Sequence, residues 1–194
     1  MKPILLICAA VGLLGCGKKA PEREANVPDV NPPVQPPVKE TKQLPAKPKV
    51  EPTKVTLTPG MKAAEKAHEA GNYREAVRLY TMELAAEEAK PAPSWVQLSY
   101  LHNELGLALD YVGLYDKALE HSQKALAIQL KQLGPEHPYV AGSYYNMAYV
   151  YEAKKDLAKA KEYWEKAYAI RLKKLGPNHP DTKDTKAELD ALKE

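Results

Sequence analysis

The stretch Leu133-Gly-Pro-Glu-His-Pro138 recurs as Leu175-Gly-Pro-Asn-His-Pro180, 42 residues downstream. That interval constrains this chain more than any other feature. The same shift pairs Ala125 with Ala167, Ile128 with Ile170, Ala118 with Ala160 and Leu105 with Met147. Run backwards, it sets Gly113 on Gly71, Tyr115 on Tyr73, Ala118 on Ala76 and Pro135 on Pro93 without a gap. A constant period of this size marks stacked units, none of which can bury its apolar face alone. The chain is therefore expected to form an array.

Aromatic residues show where the array lies. All 12 Tyr and both Trp fall between Tyr73 and Tyr168, and there is no Phe. A segment without aromatics has little to bury, so folding is expected from about residue 59 onward, with 1–58 apart from it. Charge divides at nearly the same place. Residues 1–60 hold nine Lys/Arg and five Asp/Glu, leaving 19 basic against 20 acidic residues in 61–194. A nucleic-acid-binding domain carries a basic surplus; this one does not, and no nucleic-acid partner is expected. Both cysteines, Cys8 and Cys16, lie outside the array, so neither a disulfide nor a cysteine metal site can hold the repeats.

The first residues read as an export signal. Lys2 precedes an apolar run from Ile4 to Leu14, ending in Leu13-Leu14-Gly15-Cys16. Eleven residues are too few to span a bilayer, which needs about 20. The Leu-Leu-Gly-Cys ending resembles the bacterial lipoprotein cleavage motif. The resemblance implies removal of 1–15 and acylation of Cys16, hence a lipid-bilayer partner. Gly17, where Asp would suggest inner-membrane retention, favours the outer membrane, facing the periplasm of a bacterial envelope. The alternative is an ordinary signal peptide in which Cys16 is incidental. From Gly17 to Pro59 there are ten prolines, a composition that favours extended polyproline conformations. Residues 16–58 are thus read as a lipidated, disordered tether; a ligand for proline-binding modules is the rival reading.

From Thr58-Pro59 the pattern is helix, short turn, helix. Thr caps and Pro opens the first helix, and helices are expected near 59–70, 73–90, 94–112, 115–133, 138–153, 156–175 and 180–193. Gly71 and Gly113 suit left-handed turns at helix ends, and the second proline of each Gly-Pro-x-His-Pro stretch opens the next helix. Small residues recur at matched positions: Ala64, Gly106 and Ala148 in one series, Ala76, Ala118 and Ala160 in another. They let paired helices approach closely.

On these residues the chain resembles the tetratricopeptide repeat (TPR). Its 42-residue length, its linker and its Ala-Leu-Ala-Ile (125–128) and Ala-Tyr-Ala-Ile (167–170) segments are similar to the kinesin-light-chain variety. The implied fold is an all-α solenoid spanning 59–194. Three helix-turn-helix repeats (about 59–93, 94–136 and 137–178) are followed by a polar capping helix at 180–193, as repeat arrays require. The first repeat departs from the pattern, with Glu83 where alanine is usual and Pro91-Ala-Pro-Ser in place of the linker.

No catalytic constellation is visible, and no enzyme, cofactor or metal is expected. His137 and His179 recur with the fold's own period and are read as capping a helix or hydrogen-bonding backbone, with paired ligands or bases as the rival reading. His68, His102 and His121 have no companion at metal spacing, and Trp95 and Trp164 are read as packing residues. The informative helices open repeats two and three. Leu98, Leu101, Leu105, Leu109 and Val112, and then Tyr144, Met147, Ala148 and Tyr151, form stripes expected to face the core. Left over are Tyr100, Asn103, Glu104, Leu107, Asp110 and Tyr111 on the first helix, and Tyr145, Asn146, Tyr149 and Glu152 on the second. Tyrosine joins apolar area to a polar tip, and Asn can pair with a peptide backbone. The resemblance places this face along the concave groove, with Asn146 where a groove Asn often stands and Glu104 in its place one repeat earlier. The expected function is a membrane-anchored scaffold binding a protein or peptide segment there. The alternative is a structural assembly factor of an envelope complex that self-associates into a homo-oligomer.

Overall fold

A computed structural model describes residues 55–192. The expected signal peptide, the acylated Cys16 and nearly all of the tether lie outside the described residues. Among those described, seven α-helices follow one another: α1 (Pro59–Glu69), α2 (Tyr73–Glu88), α3 (Trp95–Tyr111), α4 (Tyr115–Leu133), α5 (Pro138–Ala153), α6 (Leu157–Leu175) and α7 (Pro180–Ala191). Every bound falls within two residues of the sequence reading. None of these helices is long and apolar enough to cross a membrane.

Local chemistry starts and stops each helix. The Thr58 hydroxyl accepts from the Met61 amide at 3.0 Å, capping α1 ahead of Pro59. In the later linkers a histidine takes that role. His137 Nδ1 accepts from the Tyr139 amide and His179 Nδ1 from the Asp181 amide, each at 3.2 Å. The divergent first linker solves the same problem from the other side. Buried Glu87, at the end of α2, accepts from the Ser94 amide at 2.8 Å and so satisfies a donor just ahead of α3.

The turns inside the hairpins share one geometry. The amides of Asn72, Leu114 and Asp156 donate to the carbonyls of Ala67, Leu109 and Tyr151, at 2.8, 2.9 and 2.9 Å. This is the long bond of a Schellman turn, which needs a left-handed residue just before its donor. Gly71 and Gly113 supply it at φ 78° and 80°; in the third unit Lys155 does so at φ 62°. A left-handed L-residue costs about 1–2 kcal/mol, part of which glycine's greater unfolded-state entropy offsets. Lys155→Gly is therefore expected to stabilise the fold by about 0.5–1 kcal/mol, seen as a higher denaturant midpoint. An unchanged or lower midpoint would mean that Lys155 is not strained.

Helices pair as α1 with α2, α3 with α4 and α5 with α6. The hairpins then stack through α2 on α3, α4 on α5 and α6 on α7, while α3 also touches α5. Ala64, Ala148, Ala76, Ala118 and Ala160 are all fully buried. At Gly106 the helices leave no room for a side chain: an added Cβ would lie 2.9 Å from Ser122 Oγ and 3.1 Å from the Ala118 carbonyl. One apolar cluster runs from Met61 through α2, α3 and α4 to Val150, and a second surrounds Trp164 between α5 and α7. Glu83, out of place in the alanine pattern, has a local reason. Its carboxylate accepts from the Thr58 hydroxyl at 2.5 Å and lies over Gly60, whose missing side chain leaves it room.

Candidate functional site

Helices α3 and α5 hold the ten residues singled out from the sequence, and the structure divides them. Tyr100, Leu107, Tyr111 and Tyr149 are half-buried and Glu152 is exposed. Asn103, Glu104, Asp110, Tyr145 and Asn146 are buried, which corrects the expectation that they form an open face. The cause is geometric. Each of these helices is covered by its hairpin partner, by the second helix of the preceding hairpin, and by the other first helix. A helix packed on three sides buries polar positions along with its apolar stripe.

Buried there, the polar groups join one helix to the next. The Tyr100 hydroxyl donates to Glu65 on α1 at 2.5 Å. Asn103 Oδ1 accepts from the Ser143 hydroxyl on α5 at 3.0 Å. The Tyr149 hydroxyl donates to Glu188 on α7 at 2.6 Å, and shares a 2.9 Å bond with that of Tyr145. Tyr111 stacks on Tyr73 with centroids 4.3 Å apart. Glu104 is placed least comfortably. One oxygen reaches the Tyr80 hydroxyl at a long 3.5 Å and the other has no hydrogen-bond partner. Burial, reinforced by the Glu65 carboxylate, pushes its pKa up to about 8.

One repeat position escaped the sequence reading although it was visible there. Glu87, Gln129 and Arg171 are separated by 42 residues each and all are buried. Glu87 caps the approach to α3, as above. Gln129 Oε1 lies 2.8 Å from the Ser143 hydroxyl and shares its single proton with Asn103 Oδ1. Arg171, 2% exposed, donates through Nη1 to the Thr185 hydroxyl at 2.6 Å and to the Asp181 carbonyl at 3.1 Å. Ser143 and Thr185 are themselves one period apart, so an acid, an amide and a cation do one job: each ties a second helix to the first helix of the next unit. The Arg171 guanidinium also lies 4.4 Å from the centroid of the Tyr145 ring, a favourable cation–π placement. Burial pulls its pKa down.

Between α3, α5 and α6 these residues leave a small hollow of about 30 Å³, partly open to solvent. Its walls carry Val96, Tyr100 and Asn103 from α3, Tyr139 and Gly142 from α5, and Arg171. Of the ten expected residues only Tyr100 and Asn103 reach it. Val96, Ser99, Pro138, Tyr139 and Gly142 come from the first turns of α3 and α5, while Gln129 and Arg171 come from near the ends of α4 and α6. The wall is mainly apolar, and its polar lining residues are Ser99, two tyrosines, the amides of Asn103 and Gln129, and Arg171.

Elsewhere His102 and His121, remote in sequence, meet with their Nδ1 atoms 2.9 Å apart. One must donate and the other accept. Burial first, and His121 second, depress the His102 pKa to about 4. Among the described residues no group of three His, Cys, Asp or Glu could hold a metal ion.

Residues 96–173 and 139–189 match the tetratricopeptide repeat family. Among solved structures, 69% of the chain superposes on the nearly identical TPR-like repeats of a kinesin light chain from Podosopora anserina, with 28% identity and a TM-score of 0.61. BtubC (BKLC) from P. vanneervenii shares the fold over 66% of the chain, with 22% identity and a TM-score of 0.58. The chain spans 63% of the first and 51% of the second, so it is shorter than either. No curated protein matches the sequence.

Proposed function

We propose that this chain, a tetratricopeptide-repeat protein with kinesin-light-chain-like repeats, is a membrane-anchored scaffold that holds a segment of another protein. Such repeats generally mediate protein–protein interaction, and scaffolds built from them are generally non-enzymatic. The hollow between α3, α5 and α6 carries the reading. Its mostly apolar wall can take up an apolar group of an extended segment, with Tyr139 and Asn103 beside it, while the Tyr100 hydroxyl and the Arg171 guanidinium are already bonded to Glu65 and to α7 and hold the wall in place. In this reading Cys16 bears the lipid and the proline-rich residues behind it hold the repeats off the membrane. The site of action is the bacterial envelope, at the periplasmic face of the outer membrane.

The test crosslinks full-length chain in intact membranes and compares the proteins recovered with those from Gly142→Trp, a plug set in the wall of the hollow. Gly142→Trp is expected to keep its helical circular dichroism and lose the partner. Recovery of the same partner in the same amount would move binding away from the hollow. A Cys16→Ser copy is expected in the soluble fraction; if it stays with the membrane, the lipid is not the anchor.

A further inference from the structure

The first helices stand edge to edge along one side of the array. Polar bonds join α3 to α1 (Tyr100 to Glu65), α5 to α3 (Ser143 to Asn103) and α5 to α7 (Tyr149 to Glu188). No two second helices meet as closely as α3 and α5 do, so this is the inner side of the stack. It is also sorted by charge. Helices α3 and α5 carry no Lys or Arg, whereas α4 carries three and α6 six. On α1 Glu69 follows Glu65 by four residues, and on α7 Glu188 follows Asp184 by four, so each pair shares one helix face. The bonds of Glu65 and Glu188 fix that face as the inner one. Against these four carboxylates stand Lys62, three residues before Glu65, and buried Arg171, which faces Asp181 and Asp184.

We infer that the segment this scaffold holds is basic: a Lys- or Arg-rich stretch of another protein laid across α1, α3, α5 and α7, with one cationic side chain seated between Glu65 and Glu104. The inference rests on the proposed function for the existence of a partner and says what chemistry that partner brings. The seat has an observation of its own. Glu104 follows Tyr100 by one helical turn, on the same side of α3. It is 6% exposed, and its Oε1 has no hydrogen-bond partner. The groups around it, Glu65 of α1, Tyr80 of α2 and Tyr100 of α3 itself, bring a second acid and two phenols but no cation. A buried oxygen left without a donor costs free energy, and a partner's ammonium or guanidinium supplies both the missing donor and the missing charge. Glu65 already accepts from Tyr100, and a carboxylate can accept further donors. Adjacent helices stand about 8–10 Å apart, so the face from α1 to α7 spans about 27 Å, a distance that about eight residues of extended chain cross. A segment of that length meets Glu65 and Glu69 at one end and Asp184 and Glu188 at the other.

Fluorescence anisotropy tests this with the full-length chain in neutral detergent and two labelled peptides of about nine residues, one alternating Ala with Lys and the other Ala with Glu. The Lys peptide is expected to bind and the Glu peptide is not. Glu65→Gln with Glu69→Gln, in which Gln keeps an acceptor for Tyr100, should weaken the Lys peptide at least five-fold at physiological salt. Glu162→Gln with Glu165→Gln removes the same charge from exposed positions of α6 and should change it less than two-fold. Equal losses in the two double variants, or equal binding of the two peptides, would overturn the inference. Calorimetry in two buffers near pH 7 reads the seat. Glu104, raised to about 8, keeps its proton there, and a cation beside it drives that proton off. Binding of the Lys peptide should therefore release close to one proton, and almost none in Glu104→Gln; equal release from both would overturn the seat. A dimer of the chain that the Lys peptide dissociates would make the occupant α6 of a second copy and overturn the assignment to another protein. Failure of the peptide or proton arms leaves the proposed function standing if Gly142→Trp still loses its partner.

Discussion

Replacing Trp164 by Ala is expected to lower the unfolding free energy by about 3–5 kcal/mol, at the upper end of single core substitutions, and to free the last helix first. Trp164 is fully buried between the two sides of the third unit. Ala141, Tyr145 and Ala148 of α5 and Ala160 and Ala167 of α6 surround it, with Leu189 and Leu192 packed on the same cluster from the C-terminal end. The Tyr149 ring meets it edge-on at 5.4 Å and also holds Glu188 of α7. An alanine would leave a cavity and remove the support of the tyrosine that ties α7 down.

In a repeat array stability is close to a sum over neighbours, so the loss should stay local. Amide exchange in α7 and α6 should quicken by orders of magnitude while α1 and α2 hold. The denaturant transition should broaden as the third unit opens ahead of the rest. Trp164→Phe is the informative companion. The indole Nε1 is buried with no hydrogen-bond partner, and removing such a donor recovers part of what the smaller ring loses. A single sharp transition for Trp164→Ala, shifted as a whole, would show that the units do not open separately.

The second large effect concerns Glu104 and depends on pH. Its carboxyl is raised to about 8 in the fold by burial and by Glu65, against about 4.3 in an unfolded chain. Between those values the folded state keeps a proton that the unfolded state has released. Stability from this group is therefore complete below about pH 4 and falls as pH rises toward 8, by up to about 1.4 kcal/mol per pH unit. His102, depressed to about 4, has the opposite slope in the acid range, because there the unfolded chain holds the extra proton. The whole-protein profile mixes the two, and the difference between wild type and Glu104→Gln separates them. Gln keeps the shape and can still meet the Tyr80 hydroxyl, but it does not titrate. The variant is expected to be about equal to wild type in melting temperature near pH 4.5. By pH 8 it should be several degrees higher, a gain of a few kcal/mol. A gap that does not change with pH would mean that Glu104 is ionised and solvated in the fold.

Those two residues also show where sequence reasoning stops. Trp164 was legible as a packing residue because an aromatic at that point of the repeat, followed by alanines, has one evident use. Glu104 was not. On a helical wheel it stands away from Leu101, Leu105 and Leu109, and a carboxylate there reads as a groove or solvent position. Tyr145 and Asn146 misled for the same reason. Periodicity tells which residues share a face, and says nothing of how many faces the neighbours cover.

What the amino-acid order determined unaided was everything settled within a few residues of chain. Pro59, Pro138 and Pro180 open helices because they lack an amide and hold φ near the helical value. His137 and His179 cap because their rings reach the second amide beyond them. Gly71 and Gly113 close hairpins because they accept positive φ. The 42-residue interval then implies stacking, since no single hairpin buries its own face. Tertiary structure alone decided the rest. Enclosure of α3 and α5 on three sides, a carboxylate left half-satisfied beside Tyr80, Arg171 reaching into α7, and Gln97 holding the Thr56 carbonyl all join residues far apart in the chain. Such contacts depend on distances that only the packed array creates.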